Sequence, residues 1–362
     1  MPFNGGSLCR RIGAVSFQEG GGMSEMRGIR RYGVWLLAVA ALIGVVQTRT
    51  ALGVPTLSSP YSADYTLLDL GAVPGLSTPY GGLTLLSGDL NTLLIGGSAN
   101  TTSGTIDSIS VVRGAGNHIT GFSGTATQYS TAPGITSGGI DGGLDYAPNG
   151  DLFYTSYSDN SIGEIKPGST SPDKQVALTP LGIASSVGSL LFVPAGQPGA
   201  GDLKVVSYNG NVWYNVPFTS DGSGTYNLSA PTTTVSITGG PEGVLYVPSG
   251  STDFSTSSIL LSEYGAGAVQ AWQVDANGDP IVGTNVDFIT GLSGAEGAFL
   301  DPETGDFLFS TFGGGNQVYE VQGFVAPAPP PSGGVPEPAT VTLLGIGLAG
   351  LIGRRMRRRN GN

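Results

Sequence analysis

From Asp89 to Val321 the chain is written in short apolar runs separated by Gly, Asn and Pro, too closely spaced for helices and well suited to strands joined by tight turns. Four runs align on one pattern: Asp151–Tyr157, Asp202–Tyr208, Ser258–Tyr264 and Asp306–Phe312, each ending in an aromatic residue. A Gly or Asn turn follows each, and then a second strand: Ser161–Ile165, Val212–Val216, Val269–Val274 or Val318–Val321. A weaker fifth copy runs through Asn91–Ser98 and Ile106–Val112. Ahead of these pairs lies another recurring piece that ends in proline: Gly188–Pro194, Glu242–Pro248, Glu296–Pro302 and, one residue longer, Asp141–Pro148. With an outer strand such as Asn285–Thr290, each unit supplies four antiparallel strands, the content of one propeller blade.

The aligned markers Ser98, Tyr157, Tyr208, Tyr264 and Phe312 lie 59, 51, 56 and 48 residues apart. That spacing predicts an all-β propeller of five blades over residues 64–324, with six as the alternative if the long first interval hides a degenerate copy. The last unit lacks an outer strand, whereas Tyr65–Leu70 reads as an outer strand with no blade before it. The N-terminal strand is therefore expected to complete the last blade and close the ring.

The ends read differently. Arg27, Arg30 and Arg31 precede an apolar run from Val34 to Val46, and the small-residue pattern Ala51-Leu52-Gly53 follows. This is the layout of a signal peptide over residues 26–53, with processing expected after Gly53. Residues 1–25 have no targeting character, so translation is expected to start at Met23 or Met26. Beyond the propeller, residues 325–334 form a Pro, Ala, Gly and Ser linker. Residues 335–362 then bring Pro336-Glu337-Pro338, an apolar stretch to Gly353, and the cluster Arg354, Arg355, Arg357, Arg358 and Arg359.

These three parts in this order resemble the PEP-CTERM sorting signal of biofilm-forming Gram-negative bacteria. The resemblance implies export to the cell envelope, recognition of Pro336-Glu337-Pro338 by an exosortase-like processing enzyme, and association with extracellular polysaccharide. A helix over Ala339–Gly353 would be about 22 Å long, a marginal membrane anchor with the arginines on the cytoplasmic side. The inner-strand pieces are similar to those of NHL and gluconolactonase-like propellers.

Between Val54 and Gly334 only Arg113, Lys166, Lys174 and Lys204 stand against 23 acidic residues, a net charge of -19. A surface so acidic repels phosphate backbones, which excludes nucleic acid as a partner. The single cysteine, Cys9, lies ahead of the signal, so no disulfide or thiolate site is expected in the exported form. The single histidine, His118, sits in a Gly-Asn-His sequence and reads as an exposed turn residue, with a hydrolytic triad as the alternative. Asp275-Ala-Asn-Gly-Asp279 reads as a hairpin turn, with a calcium loop as the alternative. The aligned aromatic residues are expected to fill wedges between blades, or else to form a ligand-stacking ring.

Glu242 and Glu296 open two inner strands at the same place, and Asp141 stands one position off in a third. Inner strands line the central channel, so these carboxylates are the candidate metal ligands, with an electronegative mouth holding no ion as the alternative. In the gluconolactonase-like family a Glu at a similar Glu-Gly position holds a divalent metal. No motif requires a cofactor, and calcium is the candidate ion. A binding or scaffold protein of the extracellular matrix, a metal-dependent lactonase and a purely structural surface-layer protein are the functions left open.

Overall fold

A computed structural model describes residues 53–327. The expected signal, the Pro336-Glu337-Pro338 motif and the arginine cluster lie outside the described residues. Two N-terminal strands, β1 (Thr56–Leu57) and β2 (Thr66–Gly71), precede the first blade. Blade 1 is β3 (Leu83–Leu86), β4 (Asp89–Gly97), β5 (Thr105–Arg113) and β6 (Ile119–Thr131). Blade 2 is β7 (Ile140–Tyr146), β8 (Leu152–Ser156), β9 (Ser161–Ile165) and β10 (Lys174–Ala177).

Blade 3 contains β11 (Val187–Phe192), β12 (Leu203–Ser207) and β13 (Val212–Val216). A separate hairpin, β14 (Phe218–Ser220) and β15 (Tyr226–Leu228), intervenes before the outer strand β16 (Thr233–Ser236). Blade 4 is β17 (Pro241–Tyr246), β18 (Ser258–Glu263), β19 (Ala268–Gln273) and β20 (Val286–Thr290), with β1 added outside β20. Blade 5 takes β21 (Ala295–Leu300), β22 (Phe307–Thr311) and β23 (Val318–Gln322), and its fourth strand is β2.

The propeller thus has five blades, and the N-terminal strand closes it as the sequence implies: Leu67 pairs with Val321 and Leu68 with Glu320. The pairing of Thr56 with Thr290 and Leu57 with Ile289 was not expected. Two residues are too few to carry a period-2 signal.

Each blade is apolar on both faces because it is covered on both sides, and the buried core divides accordingly into five clusters, one per blade junction. Leu94 and Ile106 meet Ile140 and Tyr154 between blades 1 and 2. Phe153 meets Leu190 and Val205 between blades 2 and 3, and Trp213 meets Ile259 and Trp272 between blades 3 and 4. Phe288 meets Phe307 between blades 4 and 5, where Tyr61 and Tyr65 also pack. Leu93 and Ile109 meet Leu308 and Val318 where blade 5 returns to blade 1.

At the axis, glycines let the inner strands approach. A Cβ at Gly188 would lie 2.3 Å from the Pro241 carbonyl oxygen and 2.6 Å from Oε2 of Glu242. One at Gly243 would lie 2.4 Å from the Glu296 carbonyl oxygen. These glycines, Gly243 of the Glu242-Gly243 pair among them, are therefore a packing requirement of the ring centre.

Candidate functional site

Three inner strands start beside one another, and each brings one carboxylate to the axis: Asp141 from β7, Glu242 from β17 and Glu296 from β21. One oxygen from each lies within 4.8 Å of the others. All three residues are buried, at 1%, 3% and 1% exposure, so water cannot screen their mutual repulsion. Glu242 fits because Gly142 and Gly188 leave room for it: a Cβ on Gly142 would lie 2.8 Å from its Oε2.

The structure adds Asn100, which the sequence did not reveal. It follows β4 in the left-handed region (φ 60°), its backbone N–H donates to Ile140 O at 3.0 Å, and its Nδ2 donates to Oδ1 of Asp141 at 2.9 Å. Four buried oxygens then have no hydrogen-bond partner: Oδ1 of Asn100, Oδ2 of Asp141, Oε2 of Glu242 and Oε1 of Glu296. Burial pushes the Asp141 carboxyl up to about 7, against the Asn100 hydrogen bond that favours its ionised form. Burial, and then the charge of Asp141, holds Glu242 well above the usual carboxylate range. Burial followed by the charges of Asp141 and Glu242 does the same to Glu296.

Above the carboxylates opens a cavity of about 240 Å³ lined by Asn100, the three acids, and Tyr157, Tyr208, Tyr264 and Phe312. No lining residue is cationic. The aromatic residues meet edge to face in series, with ring centres 5.8, 5.7 and 5.9 Å apart. They do pack at the junctions, as the wedge reading expects: Tyr208 lies over Gly240 and Tyr264 over Gly294 of the following blade. They line the cavity as well, so the two readings are not exclusive. The collar is open at blade 1, where Ser98 occupies the aromatic position.

Two other readings change. His118 is not an exposed turn residue, because its side chain is half-buried and its Nδ1 lies 2.5 Å from Oδ2 of Asp306, across the junction of blades 1 and 5. The Asp275–Asp279 segment is a turn, with Oδ1 of Asp275 accepting the N–H groups of Asn277 (2.9 Å) and Asp279 (3.0 Å). Its cation is a side chain: the buried Lys204 ammonium donates to Oδ1 of Asp279 at 2.8 Å, where Trp213 Nε1 also donates at 2.8 Å.

The geometry is that of an oxygen-only donor set, three carboxylates that converge at the floor of a cavity also lined by the Asn100 amide. Such a set has the chemistry of ligands for a hard cation such as calcium.

Among solved structures, the chain is similar to a proposed 6-phosphogluconolactonase from Bacteroides uniformis, at 14% identity and a TM-score of 0.40, covering 65% of each chain. It is similar to streptogramin B lyase at 13% identity and a TM-score of 0.37, covering 73% of this chain and 99% of that one. It is also similar to a proposed gluconolactonase at 11% identity and a TM-score of 0.39, covering 76% of this chain and all of that one. The chain spans less than two thirds of the length of the 6-phosphogluconolactonase. No curated protein sequence matches it. Residues 334–359 match the PEP-CTERM protein-sorting motif, which marks an exported Gram-negative protein recognised by an exosortase-like enzyme. The chain is a five-bladed β-propeller that carries a PEP-CTERM sorting motif.

Proposed function

We infer that this exported propeller is a binding or scaffold protein of the cell envelope whose channel mouth holds a calcium ion and, over it, a small polyhydroxylated ligand such as a sugar unit of extracellular polysaccharide. The observation that carries the reading is the convergence of Asp141, Glu242 and Glu296 from three blades, buried and with unpartnered oxygens, without a cationic neighbour in the cavity. The tyrosine collar supports the second half of it, since aromatic edges and hydroxyls suit a ligand with alternating apolar and polar faces.

Presentation fits as well. Ala326 and Pro327 leave the propeller beside Pro194, Tyr246 and Leu300, at the opposite ends of the inner strands from the carboxylates. A tail held at the membrane or processed there would leave the carboxylate mouth facing outward.

A metal-dependent lactonase is the second reading, and what favours it is the cavity of about 240 Å³ directly over the three carboxylates, which would set a bound lactone carbonyl against an ion held there. Calorimetric titration with calcium, followed by sugars and aldonolactones on the calcium-loaded protein, tests both. Saturable calcium binding with sugar binding and no turnover supports the binding protein, whereas lactone turnover that needs calcium supports the enzyme. No calcium binding overturns both.

A further inference from the structure

A second group of potential ligands lies away from the channel, at the junction where the ring closes. His118 stands just before β6 of blade 1, Asp306 just before β22 of blade 5, and Glu320 within β23. One ligand atom from each lies within 4.8 Å of the others. Asp306 and Glu320 are fully buried, and Oδ1 of Asp306 has no hydrogen-bond partner. Glu320 is held in place by the Ile119 N–H on Oε1 and by Gln322 Nε2 on Oε2, both at 2.9 Å, and each of these oxygens keeps a second lone pair.

Among the described residues, no lysine or arginine pairs with either carboxylate. Arg113, the cationic residue at this junction, is taken by Asp301 at 2.7 Å and Glu303 at 3.5 Å. The His118 side chain is 33% exposed, so the group is reachable from solvent. Blade 2 supplies an internal comparison. Asp151 and Glu164 occupy the equivalent positions, since Phe153 pairs with Glu164 as Leu308 pairs with Glu320, but no imidazole is grouped with them. The histidine distinguishes the closing junction from an ordinary pair of buried acids.

We propose that His118, Asp306 and Glu320 bind a divalent transition metal of the zinc class, which ties blade 1 to blade 5. One imidazole and two carboxylates form a mixed nitrogen and oxygen set of the kind zinc takes, in contrast to the oxygen-only set at the channel. A dication would neutralise the two buried carboxylates and use the oxygen of Asp306 that nothing else satisfies. The ion would join residues 188 positions apart in sequence, at the junction that also carries the Arg113–Asp301 pair.

His118 is the only histidine of the chain, so full-length protein without a histidine tag, labelled with ¹⁵N-histidine, gives one imidazole to follow by NMR. Zinc chloride should move the ring-nitrogen resonances saturably at one equivalent, and calcium chloride should leave them in place. Cobalt(II) should give a visible absorption band that disappears in His118→Gln and survives in Glu242→Gln/Glu296→Gln. Glu320→Gln should weaken zinc binding about tenfold or more while the fold, followed by circular dichroism, is kept. Ring-nitrogen signals unmoved through excess zinc, or zinc affinity unchanged in both His118→Gln and Glu320→Gln, would overturn the site. The wild-type NMR result decides the matter even if both variants fail to fold.

Discussion

Replacing Glu242 and Glu296 together with glutamine should abolish the calcium response of the propeller and stabilise its calcium-free form. With oxygens no more than 4.8 Å apart, each ionised pair repels by about 3.5 kcal/mol at an effective dielectric constant of ~20. The folded protein avoids most of this by keeping protons on the cluster. Holding the Asp141 carboxyl at about 7 rather than 3.8 corresponds to about 4 kcal/mol at 1.36 kcal/mol per pH unit. A carboxyl raised in the folded state binds more protons there than in the unfolded chain, so its contribution is intact below about pH 4 and is lost as pH rises through about 7. Calcium-free wild type should therefore lose stability over that window, and the double variant should lose much less.

Calcium at about 100 times its dissociation constant adds roughly 2.7 kcal/mol, and a domain of this size gains about 2–4 °C per kcal/mol. Melts at pH 8 should therefore rise by roughly 5–10 °C with calcium in wild type and not at all in the double variant. Without calcium, the variant should melt above wild type at pH 8 and alongside it at pH 4. A double variant that keeps the full calcium shift would refute the channel-mouth site, and a wild type with no greater loss between pH 4 and 8 than the variant would refute the electrostatic account.

Three further outcomes are expected. Deleting Thr66–Gly71 removes the fourth strand of blade 5 and exposes the edge of β23, so the truncated protein should melt well below one lacking an equal length of the 325–334 linker; equal melting temperatures would contradict closure by β2. Lys204→Ala leaves the buried Asp279 without its ammonium partner and should cost about 3–5 kcal/mol in chemical denaturation, and Lys204→Ala/Asp279→Ala should recover part of that loss. Changing Pro336-Glu337-Pro338 to alanines should leave export intact and prevent processing of the tail, read by mass spectrometry of the cell-associated protein.

What was legible in the sequence is what happens inside a blade. The strand pairs recur because Asp151–Tyr157, Asp202–Tyr208, Ser258–Tyr264 and Asp306–Phe312 each turn back on their own neighbours within a few residues, and such local pairing leaves a period in the chain. Glu242 and Glu296 could be picked out for the same reason, because they occupy one place in the repeat, with Asp141 one position off in a third. Contacts between blades leave no such trace. Asn100 escaped notice because its role depends on a left-handed backbone in the least regular copy. The His118–Asp306 contact crosses the closing junction, and Lys204 reaches Asp279 across the junction of blades 3 and 4, at separations of 188 and 75 residues that no spacing rule covers. The hairpin of β14 and β15 pairs with no blade, so the four-strand pattern had no place for it.

The distribution of positive charge explains why the carboxylate mouth should depend on an ion. The domain has four cationic side chains between Val54 and Gly334, and every one is engaged elsewhere. Arg113 holds Asp301, Lys174 holds Asp221 at 2.9 Å, Lys204 holds Asp279, and Lys166 donates to the Ser223 carbonyl at 3.0 Å. None is left for Asp141, Glu242 and Glu296, so their charge is met by protons or by a metal. In an exported protein the second is readily supplied, since extracellular modules use calcium sites with dissociation constants of about 10⁻⁴–10⁻³ M. A site in that range would exchange protons for calcium on leaving the cell. The carboxylates would then be paired only where the sorting motif delivers the protein, which ties the chemistry of the channel mouth to the export route.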